Sequence, residues 1–238
     1  MRKSVALLML LCSLCMLSVY VERVKEQAVV MMGTEPERPV VVIDAGHGGK
    51  DPGKVGVGDV LEKDINLVIA KKLEALLWQN DVVAVMLRTE DKDLASENAS
   101  SRKNEDFRER ARLIREANPV LTVSIHQNSY PEGDVDGAQV FYLSGSENGK
   151  VLATMLQESL RRELADGNHR VAKANRDYYL LKQSTEEAPV VIVECGFLSN
   201  AREAELLSSE EYQEKIAFSL LLGIMEYINT GKDKINQQ

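Results

Sequence analysis

Residues 40–49, VVVIDAGHGG, join an apolar run to a glycine-rich loop and carry the strongest signal of the fold. The first part, VVVIDA (40–45), is an apolar run of the kind found in β-strands covered on both faces of a sheet. A glycine-rich loop centred on His47 follows directly. Ligands of open α/β sheets gather beyond the carboxyl ends of the strands. This stretch therefore predicts both a buried strand and a site beside its end.

Outward from this strand, apolar runs alternate with segments of helical spacing. Predicted strands cover 40–45, 82–87, 120–125, 137–143 and 189–194, with a short strand at 177–182; predicted helices cover 61–79, 103–117, 148–165 and 211–228. Strands that alternate with helices indicate crossover connections and a mostly parallel sheet. We therefore expect a single α/β domain, with a mostly parallel (mixed) central sheet and helices on both faces.

The N-terminal sequence is typical of a targeting segment. Basic Arg2 and Lys3 precede an almost wholly apolar run at 4–20, which predicts a signal peptide or membrane anchor over residues 1–22. The uncleaved anchor is slightly favoured because no clear small-residue cleavage site follows. We expect a polar linker at 23–38, the folded domain at 39–230 and a polar tail at 231–238. Either form of the leader predicts an exported protein at the extracytoplasmic face of a bacterial membrane.

Net charge argues against one class of partner, and the cysteine content argues against a disulfide in the folded domain. The net charge of −8 argues against a nucleic-acid partner. Cys12 and Cys15 lie in the leader, so Cys195 is alone in the folded domain and no disulfide is expected there. A small buried hydrophobe is the favoured interpretation of Cys195, and a catalytic thiol is the weaker alternative.

Four residues carry the predicted chemistry: His47, Glu62, His126 and Glu194. Each follows an apolar strand or opens a helix, so the predicted sheet brings them to one edge. Two imidazoles and one carboxylate make a His₂Glu zinc set, and Glu194 is left over to act on a water that the metal activates. Each residue also has an ordinary structural alternative. The negative charge of Glu62 could simply be stabilised by the helix macrodipole at a helix N-terminus. His126 could be a hydrogen-bonded core histidine.

Two phosphate-binding interpretations of the glycine-rich loop fail. In residues 44–58, DAGHGGKDPGKVGVG, the dipeptide Gly49-Lys50 is followed by Asp51 rather than Ser or Thr, which excludes a P-loop. Asp51 also stands where a dinucleotide fingerprint needs its last glycine. We expect the glycines instead to let the backbone turn sharply around His47.

The segments IDAGHGGKDPG, LEKDINL, SIHQNS and VECGFLSN resemble the four signature blocks of the zinc-dependent N-acetylmuramoyl-L-alanine amidases, the amidase-3 family. They occur in the family's order, across roughly residues 38–230. The resemblance implies that His47, Glu62 and His126 bind Zn²⁺ and that Glu194 is the catalytic carboxylate. It also implies hydrolysis of the amide between muramic acid and L-alanine in peptidoglycan. Ala45 and Cys195 depart from the residues that the family often has, but neither is a ligand.

A catalytic domain behind an N-terminal anchor is similar to the germination-specific spore cortex amidases. That likeness implies cortex maturation with muramic lactam formation, or wall remodelling, and action in the forespore intermembrane space or cortex. Peptidoglycan is then the substrate, membrane association would come from the leader, and an accessory or activator protein is a candidate partner.

Three further residues are candidates for supporting roles. Asp44 could orient a metal ligand or cap a turn. Asn128 could bind the peptide or lactyl part of the substrate, or cap its own loop. Arg88 could pair with a peptide carboxylate.

Two other functions remain open from the sequence. One is a zinc exopeptidase that cleaves between amino acids of wall peptides. The other is a non-catalytic module that binds peptidoglycan without cutting it.

Overall fold

The computed structural model describes residues 38–165 and 167–235, with side chains as far as residue 230. Its strands are β1 (Val40–Ala45), β2 (Val83–Met86), β3 (Leu121–Asn128), β4 (Gln139–Leu143), β5 (Lys173–Asn175) and β6 (Val190–Phe197). Its α-helices are α1 (Glu62–Gln79), α2 (Arg102–Ala117), α3 (Glu147–Leu164), α4 (Ala201–Ser208) and α5 (Glu210–Ile235). The predicted leader lies outside the described residues, as do nearly all of the linker and the end of the tail.

The six strands form one sheet in the order β2-β1-β3-β6-β4-β5. Neighbouring strands are parallel, except that β4 runs antiparallel to β6. The predicted α/β fold with a mostly parallel mixed sheet is confirmed. From β1 the chain continues to β2 on one side and then to β3 on the other side, so the direction of strand addition reverses between β1 and β3. Open α/β sheets bind ligands at such a switch point.

Helices cover both faces of the sheet, as predicted. The larger core packs α1, α3 and α5 against one face, with fully buried side chains such as Ile43, Leu73 and Leu156. The smaller core packs α2 and a 3-10 helix (Leu180–Gln183) against the other face, around Val42 and Ile114. Apolar burial on both faces explains why the central strands lack polar alternation.

The prediction of a strand at 177–182 was wrong. Residues 180–183 form the 3-10 helix instead, and the short edge strand lies earlier, at Lys173–Asn175. Leu180 and Leu181 are both buried, but in two different apolar clusters. Leu180 clusters with Val190 and Leu181 with Ile192, two residues on the same face of β6, whereas successive side chains of a strand would point to opposite faces.

The helix that follows β6 has a side-chain N-cap. The Asn200 side chain caps α4 by accepting a hydrogen bond from the backbone N–H of Glu203. Within the described ranges, no helix combines the length and the apolar character needed to cross a membrane.

Candidate metal centre and active site

The loop after β1 carries His47 in an uncommon backbone conformation. His47 has a φ of 61°, and Gly48 and Gly49 follow with φ values of 132° and 56°. Three successive residues with positive φ make the sharp turn that the glycines predicted. Gly46 lets the backbone of the loop lie directly against the imidazole ring of His126, because a Cβ at this position would overlap that ring. The loop therefore brings the two histidines together, with ring centroids 4.9 Å apart.

Glu62 lies between these two histidines. Its Oε1 is 2.9 Å from His126 Nδ1 and 3.2 Å from His47 Nε2. One ligand atom from each of the three residues lies within 4.8 Å of the others, so a single cation can contact all three. Two nitrogens and one carboxylate oxygen are a donor set that suits Zn²⁺. The structure thus brings together the three residues that the sequence predicted as ligands.

Backbone donors hold the Glu62 carboxylate in place. The N–H of Lys54 donates to Oε2 at 2.8 Å, and the N–H of Gln127 donates to Oε1 at 3.1 Å. Burial alone would raise the pKa of Glu62, but contacts with His126 and His47 outweigh it and hold the pKa far below its ordinary value. The carboxylate is therefore ionised, as a metal ligand must be.

His47 has a carboxylate partner on its other ring nitrogen. Nδ1 lies 2.8 Å from Asp51 Oδ2, which leaves Nε2 directed at Glu62. Burial lowers the pKa of His47, but Glu62 and then Asp51 outweigh it and raise the pKa to about 8. Metal-binding histidines commonly use such a hydrogen bond to fix the tautomer and the ring orientation.

Glu194 faces the same centre from β6. It is directly opposite His126 in the register of the parallel pair β3–β6, so both side chains point to one face. Glu194 is 7% exposed, and its Oε2 has no hydrogen-bond partner among the described residues. Burial raises its pKa to about 7; His126 opposes this shift and Glu62 adds to it. Such a carboxylate can both accept and return a proton near neutral pH.

These four side chains line one cavity of about 570 Å³. The 3-10 helix and the segment before it supply Tyr178, Tyr179 and Leu180 to its wall. Helix α2 supplies Lys103 and Phe107, and the Phe107 ring packs against Tyr179 with centroids 5.6 Å apart. The cavity therefore joins the proposed ligands, a carboxylate able to exchange protons, and room for a substrate.

Asp44 has no hydrogen bond or ion pair with the candidate ligands among the described residues. It is fully buried, pairs with the Arg110 guanidinium and accepts a hydrogen bond from Ser124 Oγ at 2.6 Å. Arg110 in turn donates to the backbone oxygen of His47 at 2.7 Å. Asp44 thus supports the His47 loop through Arg110, and Asp51 is the carboxylate at Nδ1 of the His47 imidazole.

The prediction that Arg88 binds substrate needs correction. Arg88 is 1% exposed and does not line the cavity. Its guanidinium donates to four backbone oxygens, those of Ala45, Gly46, Lys63 and Glu90. Four of the five N–H groups of its guanidinium are used inside the fold, so Arg88 supports the start of the His47 loop and does not line the cavity.

Asn128 does line the cavity, and it also caps its own loop. Its Oδ1 accepts a hydrogen bond from the N–H of Ser129 at 2.8 Å. The two interpretations offered by the sequence are therefore compatible, and substrate binding by Asn128 stays a prediction. Cys195 is fully buried, and burial raises the pKa of its thiol well above the ordinary value. This environment suits a small core residue and not a nucleophile.

Sequence reasoning missed three residues of the site. Asp51 was one of them, although a carboxylate four residues after a candidate metal ligand could have indicated a hydrogen-bond partner for that ligand. Lys103 and Tyr178 gave no signal, because their position at the cavity depends on how α2 and the 3-10 helix pack against the sheet.

Fold and site together define an α/β protein with a His₂Glu cluster and an adjacent buried carboxylate at the switch point of its sheet. That arrangement is typical of metal-dependent hydrolases. The family model described as N-acetylmuramoyl-L-alanine amidase matches residues 41–226. The chain belongs to this amidase family.

Relatives and solved structures agree with this assignment. The chain is 39% identical over 197 residues to the germination-specific N-acetylmuramoyl-L-alanine amidase of Bacillus subtilis, covering 82% of this chain and 81% of that protein. It is similar to the CwlD amidase of Clostridioides difficile, solved in complex with the GerS lipoprotein, with 37% identity and a TM-score of 0.78 over 81% of this chain and 100% of that one. The amidase AmiC2 of Nostoc punctiforme matches at 32% identity and a TM-score of 0.70, covering 80% of this chain and 97% of that one.

Proposed function

We propose that this chain is a zinc-dependent amidase that hydrolyses the amide between N-acetylmuramic acid and L-alanine in peptidoglycan. The observation that carries the proposal is the convergence of His47, Glu62 and His126 within 4.8 Å, beside the buried Glu194. Membership of the amidase family supports the choice of reaction.

The residues present fit a zinc ion. His47, Glu62 and His126 would hold it, and three protein ligands are the number that catalytic zinc sites use. When bound, Zn²⁺ supplies Lewis acidity, which lowers the pKa of water and polarises a carbonyl group. Asp51 orients His47, and the Lys54 and Gln127 N–H groups orient Glu62.

Glu194 moves the protons of the reaction. Its unpartnered Oε2 takes a proton from the water that attacks the amide carbon. The same oxygen then gives the proton to the departing nitrogen of L-alanine as the C–N bond breaks. Burial raises the pKa of Glu194 above its ordinary value, which makes the carboxylate a stronger base for the first of these steps.

The biological setting is part of the proposal. We place the enzyme in spore cortex maturation, in an extracytoplasmic compartment, with an accessory lipoprotein as partner. The likeness to the germination-specific amidase of Bacillus subtilis supports the cortex role. The likeness to an amidase solved in complex with a lipoprotein supports the partner.

The decisive experiment combines metal analysis with digestion of purified peptidoglycan. The zinc-loaded wild-type domain is expected to release free lactyl groups and new L-alanine N-termini. Glu194→Gln is expected to keep zinc and substrate binding but to lose turnover by about 1000-fold, because the proton carrier is gone. Glu187→Gln, the same change at an exposed position, is the control. Full turnover in Glu194→Gln would contradict the proposed role.

The same digestion separates the two other functions left open by the sequence. An exopeptidase would release amino acids and leave the muramic acid lactyl group substituted. A binding module would retain peptidoglycan fragments without producing new N-termini in either the wild type or Glu194→Gln.

The cortex role needs a cellular test. The full chain would be expressed in a spore former that lacks its own germination-specific amidase. Restored muramic lactam in the cortex is the expected result. A chain that cleaves peptidoglycan in vitro but restores no lactam would place the enzyme in general wall remodelling.

A further inference from the structure

Helix α1 buries the side-chain amide of Asn66 on the face that packs against the sheet. Asn66 is fully buried. Apart from Glu62, the other buried side chains of this helix are apolar: Ile65, Ile69, Ala70, Leu73 and Leu77. Burying an amide costs free energy unless its donors and its acceptor find hydrogen-bond partners. The role of Asn66 therefore follows from the partners it has.

The Asn66 side chain contacts all three segments that carry a candidate metal ligand. On the loop after β1, the backbone oxygen of Gly46 accepts a hydrogen bond from Nδ2 at 3.1 Å. Within α1, the same nitrogen lies 3.5 Å from Oε1 of Glu62, a longer and weaker contact. On β3, Nε2 of Gln127 donates to Oδ1 of Asn66 at 3.1 Å. One buried amide thus joins the loop, the helix and the strand.

The chemistry of these partners fixes the orientation of the Asn66 amide. A backbone oxygen and an ionised carboxylate can only accept hydrogen bonds, so Gly46 and Glu62 both require the nitrogen on their side. The opposite orientation would place an oxygen against two acceptors and a nitrogen against the Gln127 donor. The three contacts therefore support one another and favour a single arrangement of the segments.

Other hydrogen bonds join these segments in pairs. Nη2 of Arg88 donates to the backbone oxygens of Gly46 at 3.0 Å and Lys63 at 2.8 Å, which links the loop to α1. The backbone N–H of Gln127 donates to Oε1 of Glu62 at 3.1 Å, which links β3 to α1. The Asn66 amide differs from both, because it spans all three segments at once.

We infer that Asn66 is a positioning residue that sets the zinc affinity of the His47, Glu62 and His126 centre. It holds the three segments together before the ion arrives, so the ligands lose less conformational freedom when the ion binds. Groups that hydrogen-bond around a metal site in this way commonly change its affinity by about 10- to 100-fold. The inference rests on the proposed function, which takes Zn²⁺ as the ion.

The test measures zinc affinity, by competition with a chromophoric chelator, in purified protein that starts free of metal. Asn66→Ala should bind Zn²⁺ about 10- to 100-fold more weakly than the wild type. Circular dichroism at the same temperature checks that the variant is folded. A wild-type zinc affinity in folded Asn66→Ala would overturn the inference.

Gln157→Ala is the matched control. Gln157 is also a buried amide, 1% exposed, which accepts from the N–H of Val140 at 2.8 Å and donates to the backbone oxygen of Ala138 at 3.0 Å. It lies on α3 and does not line the cavity. Its loss should lower stability and leave zinc affinity unchanged. If both variants weakened zinc binding equally, the effect would be general destabilisation, and the inference would fail.

A second variant guards against a fold that Asn66→Ala weakens too far. Asn66→Leu combined with Gln127→Met replaces two amides that bond to each other, and such paired replacement by apolar groups can be nearly neutral for stability. The contacts with Gly46 and Glu62 are still lost, so zinc binding should again be weaker than in the wild type. Wild-type affinity in this double variant would equally overturn the inference.

Turnover on peptidoglycan separates this inference from the proposed function. Excess Zn²⁺ should restore most of the activity of Asn66→Ala, because the defect lies in holding the ion; a loss that excess zinc does not reduce would contradict this role. If the wild type binds zinc but cleaves no peptidoglycan, the amidase proposal fails, and the zinc affinities still decide the role of Asn66. A wild type that binds no zinc would overturn both.

Discussion

Replacing Asp44 by Asn should test how the His47 loop is held. Asp44 is fully buried and pairs with Arg110, which is itself 1% exposed. Arg110 also donates to the backbone oxygens of Ala45 at 3.0 Å and His47 at 2.7 Å. Asn keeps the shape of the side chain and removes its charge. The variant therefore leaves a buried guanidinium without its fully buried counter-charge.

The structure sets the size of the expected effect. Removing one partner of a buried ion pair costs about 3–5 kcal/mol. Asp106 still contacts Arg110 Nε at 2.7 Å in the variant and is itself mostly buried, so we expect the lower end, about 3 kcal/mol. A domain of this kind is stable by roughly 5–15 kcal/mol. The loss should therefore be large but should leave the protein folded at neutral pH.

The effect should depend on pH in one direction. Burial alone would raise the pKa of Asp44, but Arg110 and Ser124 outweigh it and hold the pKa below its ordinary value of 3.8. A depressed pKa in the folded state adds stability that is complete above the unfolded value and is lost as pH falls through the folded one. The gap between wild type and Asp44→Asn should therefore be full at pH 7 and shrink below about pH 4.

Urea unfolding followed by circular dichroism, at several pH values, gives the free energies of unfolding. Glu116→Gln is the control, because it breaks an exposed ion pair with Arg112 and should leave the unfolding midpoint nearly unchanged. A loss for Asp44→Asn below about 1 kcal/mol, or a gap that does not change with pH, would refute this reasoning.

Three further predictions concern the site. Asp51→Asn should weaken zinc binding by roughly tenfold, since His47 loses a charged hydrogen-bond partner; unchanged affinity in a competition assay with a chelator would argue against this role. Gly46→Ala should reduce turnover on the order of 100-fold, because its Cβ would displace the His126 ring, and circular dichroism should still report a folded protein. Cys195→Ala should retain wild-type kcat/KM, and the native Cys195 thiol should resist alkylation until urea unfolds the chain; rapid labelling of the folded protein would contradict its burial.

Most elements of the fold and the four central residues of the site could be predicted from local sequence patterns. The apolar runs of β1, β3 and β6 and the helical spacing of α1 are local periodic patterns, so they could be interpreted without coordinates. The same patterns placed His47, Glu62, His126 and Glu194 beside strand ends or at a helix start. A parallel sheet then required these residues to share one edge.

Which side chains meet depends on the tertiary fold. It set the register that places Glu194 opposite His126, selected Asp51 over Asp44 as the partner of His47, and buried Arg88 among backbone oxygens. These choices depend on contacts between distant segments, such as the Arg110–Asp44 pair, which spans 66 positions of the chain. Local sequence carries no record of that packing, because burial and a hydrogen-bond partner are properties of the assembled fold.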